Sequence, residues 1–355
     1  MAKPFVSVLI DTYNHERFIE KAIVSVLEQD YPATEREIIV VDDGSTDGTP
    51  YIVRKFEPQV RLLRKANGGQ ASAFNAGIPE CKGEIIAFLD GDDWWAPEKL
   101  RRVAEVLGVD SAAGLVGHGI VITHLDGRQQ FDSLSEGFRF SANNLEGARL
   151  FRLRKSFLGT SRMTVRTELL RRIGLVPEAL VVEADEYLFT LAAALSWVQI
   201  LPETLTFYRM HPGNAFQLSS RDPEKIVRKL EALAALVPML GEQLERHGVA
   251  RRVREAITET VQAEGDQLRL AHAGGWPWET VKTEWVIYGA MYPDVSIWQQ
   301  WFKIASLVPA FLMPPKMFYR VRQRIAQSRF YTQSRKRWLP APELTHVKTH
   351  WRPGA

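Results

Sequence analysis

The amino-acid sequence predicts an α/β protein with a mostly parallel central sheet flanked by helices and a helical C-terminal extension. Two observations favour this class. Apolar runs of strand length alternate with amphipathic helical patterns over the first hundred residues, and helical periodicity alone continues beyond residue 222. With 355 residues, of which 45% are hydrophobic and 25% charged, the chain has the composition of a folded protein and the length for two domains.

The first hundred residues supply the sheet. Between its strands, apolar residues recur at helical spacing from Phe18 to Leu27. Parallel sheets bind ligands beyond the carboxyl ends of their strands, so we expect the functional residues there. The predicted strands are Val6–Ile10, Glu37–Val41, Val60–Arg64 and Glu84–Leu89.

The middle of the chain, about 100 to 215, is predicted to contain both helices and strands. A helix is predicted to begin at Pro97, a hairpin to turn at Asp126-Gly127, and another helix to cover Ala184–Leu195. Two short strands follow, and beyond Asp222-Pro223 the pattern is helical, with a second helix to about residue 270. The two short strands are Val198–Leu201 and Leu205–Met210.

Composition excludes several classes of protein. Cys81 is the single cysteine, which rules out an internal disulfide framework and fits a reducing compartment. The apolar run at 5–10 is too short for a signal peptide, and the charge-free stretch at 304–315 is too short for the ~20 residues that cross a bilayer. We therefore expect a cytoplasmic protein that does not span the membrane.

Three acidic clusters fall where strands end or helices begin. Each has an ordinary interpretation as a turn, a helix cap or a complement to the helix dipole. Three carboxylates within four residues repel one another, however, and oxygen ligands on a loop suit Mg²⁺ or Mn²⁺. The clusters are Asp42-Asp43-Gly44-Ser45-Thr46-Asp47, Asp90-Gly91-Asp92-Asp93 and Glu183-Ala184-Asp185-Glu186.

Four motifs follow one another along the first hundred residues, namely Val6–Asn14, Val41–Asp47, Asn67–Gly77 and Phe88–Asp93. Together they resemble the motifs of family 2 glycosyltransferases with the GT-A fold. Further on, Asp185 with Leu188 is similar to the family's catalytic-base segment, and Phe207–His211 is similar to the stretch that closes its catalytic domain. The resemblance covers about residues 4 to 216.

The resemblance implies a domain plan. Residues 1–216 would be the GT-A catalytic domain, with a nucleotide-binding half at about 1–100 and an acceptor half at about 101–216. A helical region would follow at 217–275, and an aromatic and basic C-terminal extension at 276–355.

The resemblance also implies roles for individual residues. Asp90-Gly91-Asp92 matches the family's DXD motif, whose last Asp, here Asp92, would hold a divalent metal, Mn²⁺ or Mg²⁺. Asp90 would lie near the ribose, and Asp43 would face the base. Asp185 would deprotonate the acceptor hydroxyl, and transfer would invert the anomeric carbon in one displacement. The other residues expected to contact the nucleotide sugar are Thr12, Tyr13, Asn14, Asn67, Gly69, Asn75 and Gly91.

Some positions depart from the family pattern. Asp11 stands where the family usually has Pro, and Phe74 where many members have Arg. Ala184 replaces the acid that commonly precedes the base, so Glu186 remains an alternative to Asp185. His211 is either a metal ligand or phosphate contact, or a residue that only packs and hydrogen-bonds locally.

The C-terminal segment combines tryptophan with positive charge. Seven of the ten tryptophans follow residue 275, and ten Lys or Arg against one acid give residues 316–355 a net charge of +9, compared with +3 for the whole chain. Such a segment suits an anionic membrane surface, which would place the enzyme peripherally on the inner face of the cytoplasmic membrane. The alternatives are packing of these aromatics on the catalytic domain and, less favoured, nucleic-acid binding, for which no module is recognisable.

The sequence therefore predicts an inverting, metal-dependent glycosyltransferase. Its partners would be a nucleotide-sugar donor and a glycan or lipid-linked glycan acceptor in surface polysaccharide or glycolipid synthesis, with no nucleic acid. One alternative is a non-catalytic subunit that binds sugar nucleotides or assembles at the membrane. A nucleotidyltransferase is another, but the glycine-rich, arginine-containing loop of that class does not follow the first strand.

Overall fold

A computed structural model describes residues 3–214, 222–291 and 297–326. The chain forms two compact units, Met1–Thr258 and Glu259–Ala355. The functional borders predicted at 216 and 275 remain predictions.

The first part of the larger unit is a parallel sheet, as predicted. Its strands run in the order β3-β2-β1-β4, with neighbours parallel, so that all four carboxyl ends lie at one edge. Alternate residues of β1, such as Val8 and Ile10, are fully buried in a core that also contains Ile19, Ile23 and Val26 of the first helix. The elements are β1 (Val6–Thr12), α1 (Ile19–Leu27), β2 (Arg36–Asp42), α2 (Thr49–Arg54), β3 (Arg61–Arg64), α3 (Gly69–Gly77) and β4 (Ile85–Asp90).

Beyond β4 the sheet becomes mixed. The strand order continues β4-β9-β6-β10-β5, and β9 runs antiparallel to both of its neighbours. Two further strands, β7 and β8, pair with β6 and β10 respectively. The elements are β5 (Trp94–Trp95), α4 (Lys99–Val109), β6 (Ala113–His124), β7 (Gln129–Asp132), β8 (Phe138–Phe140), α5 (Leu145–Arg154), β9 (Thr164–Arg166), α6 (Thr167–Ile173), α7 (Ala184–Leu195) and β10 (Trp197–Met210).

The strand β10 differs from the sequence prediction. The two short strands predicted at 198–201 and 205–210 are one strand of 14 residues that pairs with β6 along its length. The register shifts between Leu201 and Thr204, where Pro202 interrupts the apolar pattern. Proline lacks a backbone N–H and is tolerated in a strand at such an irregularity, so the sequence pattern breaks although the strand does not.

The helices after residue 222 are confirmed as predicted. The first is capped by Asp222, whose Oδ1 accepts a hydrogen bond from the backbone N–H of Glu224 at 3.0 Å. Pro223 takes the first helical position, where its missing N–H costs nothing. The two helices are α8 (Pro223–Arg246) and α9 (Arg251–His272).

The smaller unit is helical in its described part. Its buried apolar group comprises Leu270, Ala310, Phe318 and Tyr319. The fully buried carboxylate of Glu284 accepts a hydrogen bond from Gln267 and forms ion pairs with Lys303 and Arg322. The remaining helices are α10 (Pro277–Met291), α11 (Ile297–Leu312) and α12 (Pro315–Ala326).

Two predictions about the C-terminal segment meet different outcomes. Within the described residues, none of the helices combines the length and the apolar character needed to cross a membrane. Most of the basic tail, including Trp338 and Trp351, lies outside the described residues.

The single cysteine is a structural residue of the larger unit. Cys81 is 5% exposed, and its thiol donates a hydrogen bond to the backbone oxygen of Gly77 at 3.4 Å. Burial raises the pKa of the Cys81 thiol to about 12, so the thiol stays protonated at neutral pH.

Candidate active site

The register of the parallel strands brings the predicted site residues to one edge of the sheet. Asp11 pairs with Asp90 across β1 and β4, and Thr12 pairs with Asp42 across β1 and β2. Just beyond the strand ends, the N–H of Gly91 donates to the Asp11 carbonyl at 2.9 Å, and the N–H of Asp43 donates to the Thr12 carbonyl at 2.9 Å. The first two acidic motifs therefore flank the end of β1, as the sequence predicted.

The loop after β4 gathers three carboxylates. One oxygen from each of Asp90, Asp92 and Asp93 lies within 4.8 Å of the others. The Ser161 hydroxyl donates to Asp93 at 2.7 Å and to Asp90 at 3.3 Å. Burial, together with repulsion from the neighbouring carboxylates, raises the pKa of Asp90 and of Asp93 well above the ordinary value.

Asp92 is the carboxylate of this cluster with imidazole and amide partners. Its Oδ2 lies 2.9 Å from His211 Nε2 and 3.8 Å from His15 Nε2, and it accepts a hydrogen bond from the Asn214 amide at 3.2 Å. The N–H of Gly213 donates to His211 Nδ1 at 3.2 Å, which leaves the proton of a neutral ring on Nε2, pointing at Asp92. Burial opposes ionisation of Asp92, but the hydrogen bond from His211 and the nearby imidazoles hold its pKa below the ordinary value.

This donor set fits a divalent cation. The separation of 2.9 Å between His211 Nε2 and Asp92 Oδ2 would allow both atoms to bind one ion, if the ring proton moved from Nε2 to Nδ1 and Nδ1 ceased to accept from Gly213. The carboxylate oxygens of Asp90, Asp92 and Asp93 are ligands that suit Mn²⁺ or Mg²⁺, and a neutral imidazole is an acceptable further ligand for Mn²⁺.

The third acidic motif begins α7, and its two candidate bases have different surroundings. Asp185 Oδ2 accepts hydrogen bonds from the backbone N–H and the hydroxyl of Thr160, both at 3.2 Å. Glu186 instead forms a buried ion pair with Lys155 at 2.6 Å. Burial raises the pKa of Asp185. Burial also opposes ionisation of Glu186, but the hydrogen bonds and charges of its neighbours, chiefly Lys155, together lower the pKa of Glu186.

Two adjacent residues connect the acidic groups. Thr160 binds Asp185, and its neighbour Ser161 binds Asp90 and Asp93. Sequence reasoning missed this short turn, since a Thr-Ser pair between unremarkable segments carries no recognisable pattern. Ser161 and Thr160 are 4% and 3% exposed, so the turn is fixed in the interior.

Sequence reasoning also missed Arg209. Its backbone N–H donates to Asp93 at 2.8 Å, and its Nε donates to the backbone oxygen of Asp92 at 2.8 Å. The guanidinium lies between two aromatic rings, 4.7 Å from the centroid of Phe18 and 4.5 Å from that of Trp94. Only the similarity of residues 207–211 to a family motif pointed to this region.

The Asp43 carboxylate is occupied by the chain itself. It accepts hydrogen bonds from the backbone N–H groups of Gly68 and Gly69, the shortest at 2.7 Å, and from Lys65 at 2.6 Å. It thereby caps the N-terminus of α3, where a carboxylate is favoured. The Asn67 amide donates to the Asp43 backbone oxygen at 3.0 Å, so two predicted nucleotide contacts, Asp43 and Asn67, bind each other.

Two other predicted residues also organise loops. The Asn14 side-chain oxygen accepts from the N–H of Thr46 at 2.8 Å, and this joins the loops after β1 and β2. Asn75 makes two hydrogen bonds of 2.8 Å with the backbone of Val176. Tyr13 lies at the edge of the sheet with 45% of its surface exposed.

Two glycines of the predicted set have no space for a side chain. A Cβ on Gly91 would lie 2.6 Å from the Thr12 hydroxyl, and one on Gly69 would lie 2.9 Å from the Val181 backbone. Gly69 also has a φ of +83°, which favours glycine. Packing therefore requires glycine at these two positions, whether or not a ligand binds beside them.

Asp11 contributes a further carboxylate to the same crevice. Its Oδ1 is buried and has no hydrogen-bond partner among the residues that the structure describes. Burial, together with the negative charges of Asp92, Asp185 and Asp43, raises the pKa of Asp11 to about 8. The crevice thus contains a carboxyl group with an unused hydrogen-bonding position.

Comparison with known proteins identifies the family of the chain. The model of the family described as Glycosyl transferase family 2 matches residues 7–174. An uncharacterised glycosyltransferase of Nostoc sp. is 31% identical over 255 residues, which are 70% of this chain and 78% of the relative. Poly(ribitol-phosphate) β-N-acetylglucosaminyltransferase TarS of Staphylococcus aureus is 38% identical over 102 residues, 28% of this chain and 18% of TarS.

Solved structures agree on the fold. TarS 1–349 in complex with UDP-GlcNAc has a TM-score of 0.51 at 22% identity, covering 81% of this chain and 88% of that one. Mannosyltransferase PcManGT from Pyrobaculum calidifontis, in complex with GDP-Man and Mn²⁺, has a TM-score of 0.53 at 21% identity, covering 95% and 84%. The chain belongs to glycosyl transferase family 2 and is a glycosyltransferase with the GT-A fold.

Proposed function

We propose that this glycosyltransferase is an inverting, metal-dependent enzyme that moves a sugar from a nucleotide donor to an acceptor hydroxyl. The acceptor would be a growing surface polysaccharide or a glycolipid. TarS, one of its relatives, is named for transfer of N-acetylglucosamine to poly(ribitol-phosphate), and PcManGT binds GDP-Man and Mn²⁺.

One observation carries the proposal. The turn of Thr160 and Ser161 holds Asp185 on one side and the acidic group of Asp90 and Asp93 on the other. A carboxylate that can accept a proton is thereby kept at a fixed position relative to carboxylates that can hold a metal on the diphosphate. Sugar transfer from a nucleoside diphosphate needs both functions in one crevice.

Asp92, with His211 beside it, would hold the divalent ion. When bound, the ion offsets the charge that develops on the departing nucleoside diphosphate. Asn214 donates to the same carboxylate oxygen and Arg209 holds the Asp92 backbone, so Asp92 is oriented before any ion arrives. Such orientation by neighbouring groups is typical of metal ligands.

Asp185 is the better candidate for the base. A general base is effective when its pKa approaches the working pH, and burial moves the pKa of Asp185 in that direction. Glu186 is held as an ion by Lys155 and is correspondingly less basic. As the acceptor oxygen attacks the anomeric carbon, Asp185 would take its proton and the sugar–phosphate bond would break, with inversion in one step.

The remaining predicted residues would form the nucleotide end of the crevice. Tyr13 has an exposed ring suited to contact with a base, and Thr12, Asp90 and Gly91 lie around the end of β1. The side chains of Asn14, Asp43, Asn67 and Asn75 are bonded to the chain itself, so we propose that they shape the site through the loops they hold.

A thermal-shift screen of nucleotide sugars with Mn²⁺ or Mg²⁺ tests the proposal. A ligand that binds the native state raises the melting temperature by mass action, so the correct donor should stabilise the wild type and do so less in Asp92→Asn. Absence of a shift with every nucleotide sugar would contradict the proposal. Donor hydrolysis then distinguishes the alternatives: binding without turnover favours a non-catalytic subunit, and release of pyrophosphate from a nucleoside triphosphate and sugar phosphate favours a nucleotidyltransferase.

We further propose that the C-terminal helices bind an anionic membrane surface, which would place the enzyme at the cytoplasmic membrane face near a lipid-linked acceptor. Trp298 and Trp301 of α11 are 79% and 61% exposed, and Val308, Phe311 and Leu312 continue the exposed apolar face at helical spacing. The next helix, α12, adds exposed basic side chains. Aromatic and basic residues together suit the headgroup region of an anionic bilayer.

Vesicle flotation tests the membrane proposal. The wild type should float with phosphatidylcholine vesicles that contain phosphatidylglycerol, less so at high salt, and a Trp298→Ala/Trp301→Ala variant should float substantially less. Trp276→Ala is the matched control, because Trp276 is 70% exposed but precedes α10. Equal flotation of all three proteins, or none with the wild type at low salt, would refute this role.

A further inference from the structure

Asp11 occupies the centre of the sheet edge. Its strand, β1, lies between β2 and β4, and residues just beyond these two strands carry the other acidic groups. Asp11 pairs in register with Val41 on one side and with Asp90 on the other. The charges that act on its carboxyl group include those of Asp92, Asp185 and Asp43, one from each acidic motif.

The carboxylates around Asp11 all have protein partners. Asp43 accepts from Gly69 at 2.7 Å, Asp92 from Asn214 at 3.2 Å, and Asp185 from Thr160 at 3.2 Å. Ser161 donates to both Asp90 and Asp93. Among the residues that the structure describes, Asp11 Oδ1 is buried and has no such donor.

A buried acceptor without a donor is costly. Leaving such a group unsatisfied costs about 1–3 kcal/mol, so folding alone does not favour a carboxyl group at this position. A bound ligand with an O–H or N–H group would remove that cost. The group of oxygens suited to a metal consists of Asp90, Asp92 and Asp93 and does not include Asp11, which favours a hydrogen-bonding role.

We propose that Asp11 binds an O–H or N–H group of the nucleoside part of the donor, and so helps to select which nucleotide sugar the enzyme uses. This inference rests on the proposed function. The position of Asp11 between the strand ends that lead to Asp43 and Asp90 places it at the nucleotide end of the crevice. The chemical groups available there are the ribose hydroxyls and the N–H groups of the base, and both are donors to which an oxygen of the Asp11 carboxyl group can be the acceptor.

Calorimetric binding of UDP and GDP, each with Mn²⁺, tests the proposal in wild type, Asp11→Ala and Asp11→Asn. We expect Asp11→Ala to weaken binding of the preferred nucleotide by about 2- to 10-fold at neutral pH, the range of a hydrogen bond between neutral groups, with partial recovery in Asp11→Asn. The melting temperature of the ligand-free protein should rise in both variants. Asp30→Asn, whose carboxylate is 63% exposed, is the control and should bind as the wild type does.

The 2′-deoxy and 3′-deoxy forms of the preferred nucleotide locate the contact. If Asp11 binds a ribose hydroxyl, removal of that hydroxyl weakens binding to the wild type but not further to Asp11→Ala. If it binds the base, removal of either hydroxyl lowers the affinity by the same factor in the wild type and in Asp11→Ala. The ratio of the affinities for UDP and GDP is then closer to one in Asp11→Ala than in the wild type. Either result supports the proposal.

Other outcomes would overturn it. Wild-type affinity of Asp11→Ala for every nucleotide would remove Asp11 from donor binding while leaving the proposed function intact. Loss of Mn²⁺ binding in the absence of nucleotide, measured by the Mn²⁺ paramagnetic resonance signal, would make Asp11 a metal ligand instead. A wild type that binds neither UDP nor GDP nor any nucleotide sugar would overturn the proposed function together with this inference.

Discussion

Asp11 lies near the end of β1 and Asp43 directly follows the neighbouring strand β2, so both residues are at the same edge of the sheet. Their carboxyl groups nevertheless have opposite surroundings. Asp43 accepts three donors from its own chain, two of them backbone N–H groups at the start of α3. Asp11 has a buried oxygen that has no donor among the described residues. The first arrangement stabilises the loop that borders the crevice, and the second lowers stability until a ligand binds.

The same contrast recurs at α7. Glu186 is paired with a cation, whereas its neighbour Asp185 is held by a hydroxyl and backbone N–H groups. An acidic residue in a conspicuous motif can thus serve either the fold or the chemistry. The identity of its hydrogen-bond donors indicates which role applies.

Asp185→Asn is the most direct test of the different roles of Asp185 and Glu186. Removing the base should lower kcat by about 10²- to 10⁴-fold while donor affinity changes little, because the amide cannot take the acceptor proton. Steady-state kinetics with the identified donor and acceptor measure the effect. Glu186→Gln is the matched control and should retain kcat within about tenfold. The reverse pattern would show Glu186 to be the base.

Asp43→Ala should destabilise the fold more than any change at Asp11. Two backbone N–H groups and Lys65 would lose their shared acceptor, at a cost of about 3 kcal/mol in the free energy of unfolding. Urea denaturation measures this free energy. Asp126→Ala, in the exposed hairpin turn, is the control and should leave the free energy of unfolding almost unchanged. A similar small change in Asp43→Ala would mean that its bonds contribute no net stability.

Asp11→Asn should stabilise the ligand-free protein, by about 2 kcal/mol at alkaline pH. Burial raises the pKa of Asp11 in the folded state to about 8, whereas the unfolded value is 3.8. The folded state therefore holds the proton more tightly, and the stability of the wild type should fall as the pH rises from about 4 to about 8.

Other acidic groups titrate in the same direction, so the informative quantity is the difference between wild type and Asp11→Asn. Denaturation in metal-free buffer at several pH values measures it. The difference should be smallest near pH 4 and grow towards pH 8. A difference that is constant with pH would contradict the assignment of the shift to Asp11.

Lys65→Met should have the smallest effect. It removes one donor from Asp43 but leaves the backbone N–H groups of Gly68 and Gly69 in place, so we expect a loss of about 1 kcal/mol. Combined with Asp43→Ala, it should add almost nothing, because the two residues share one interaction. Full additivity in urea denaturation would show that Lys65 stabilises the fold independently of Asp43.

Much of the fold could be predicted from the sequence, for local reasons. Strands β1, β2 and β4 and the helices α1 and α7 have strong apolar periodicity, and the motifs after the strands were placed at one edge because parallel strands end together. The strand β10 was divided in error, since Pro202 interrupts its pattern while pairing with β6 continues.

The hydrogen-bond partners of the acidic residues could not be predicted in this way. Ser161 and Asp93 are 68 residues apart, and His211 and Asp92 are 119 apart. Such pairs depend on the register of the mixed half of the sheet, where several strands and short helices carry weak patterns. The sequence therefore identified the carboxylates. The structure was needed to separate those held by the chain from Asp11, whose Oδ1 has no donor among the residues that the structure describes.

The burial of Cys81 has a practical consequence for experiments on both units. A thiol with a pKa of about 12 and 5% exposure reacts slowly with maleimides and iodoacetamides, which attack thiolates. The natural chain therefore offers a nearly silent background for site-specific labelling. A cysteine that replaces Tyr13 or Trp298 can carry a spectroscopic probe of the crevice or of α11, and Cys81 need not be removed for this purpose. Slow labelling of Cys81 itself then reports opening of the surrounding core.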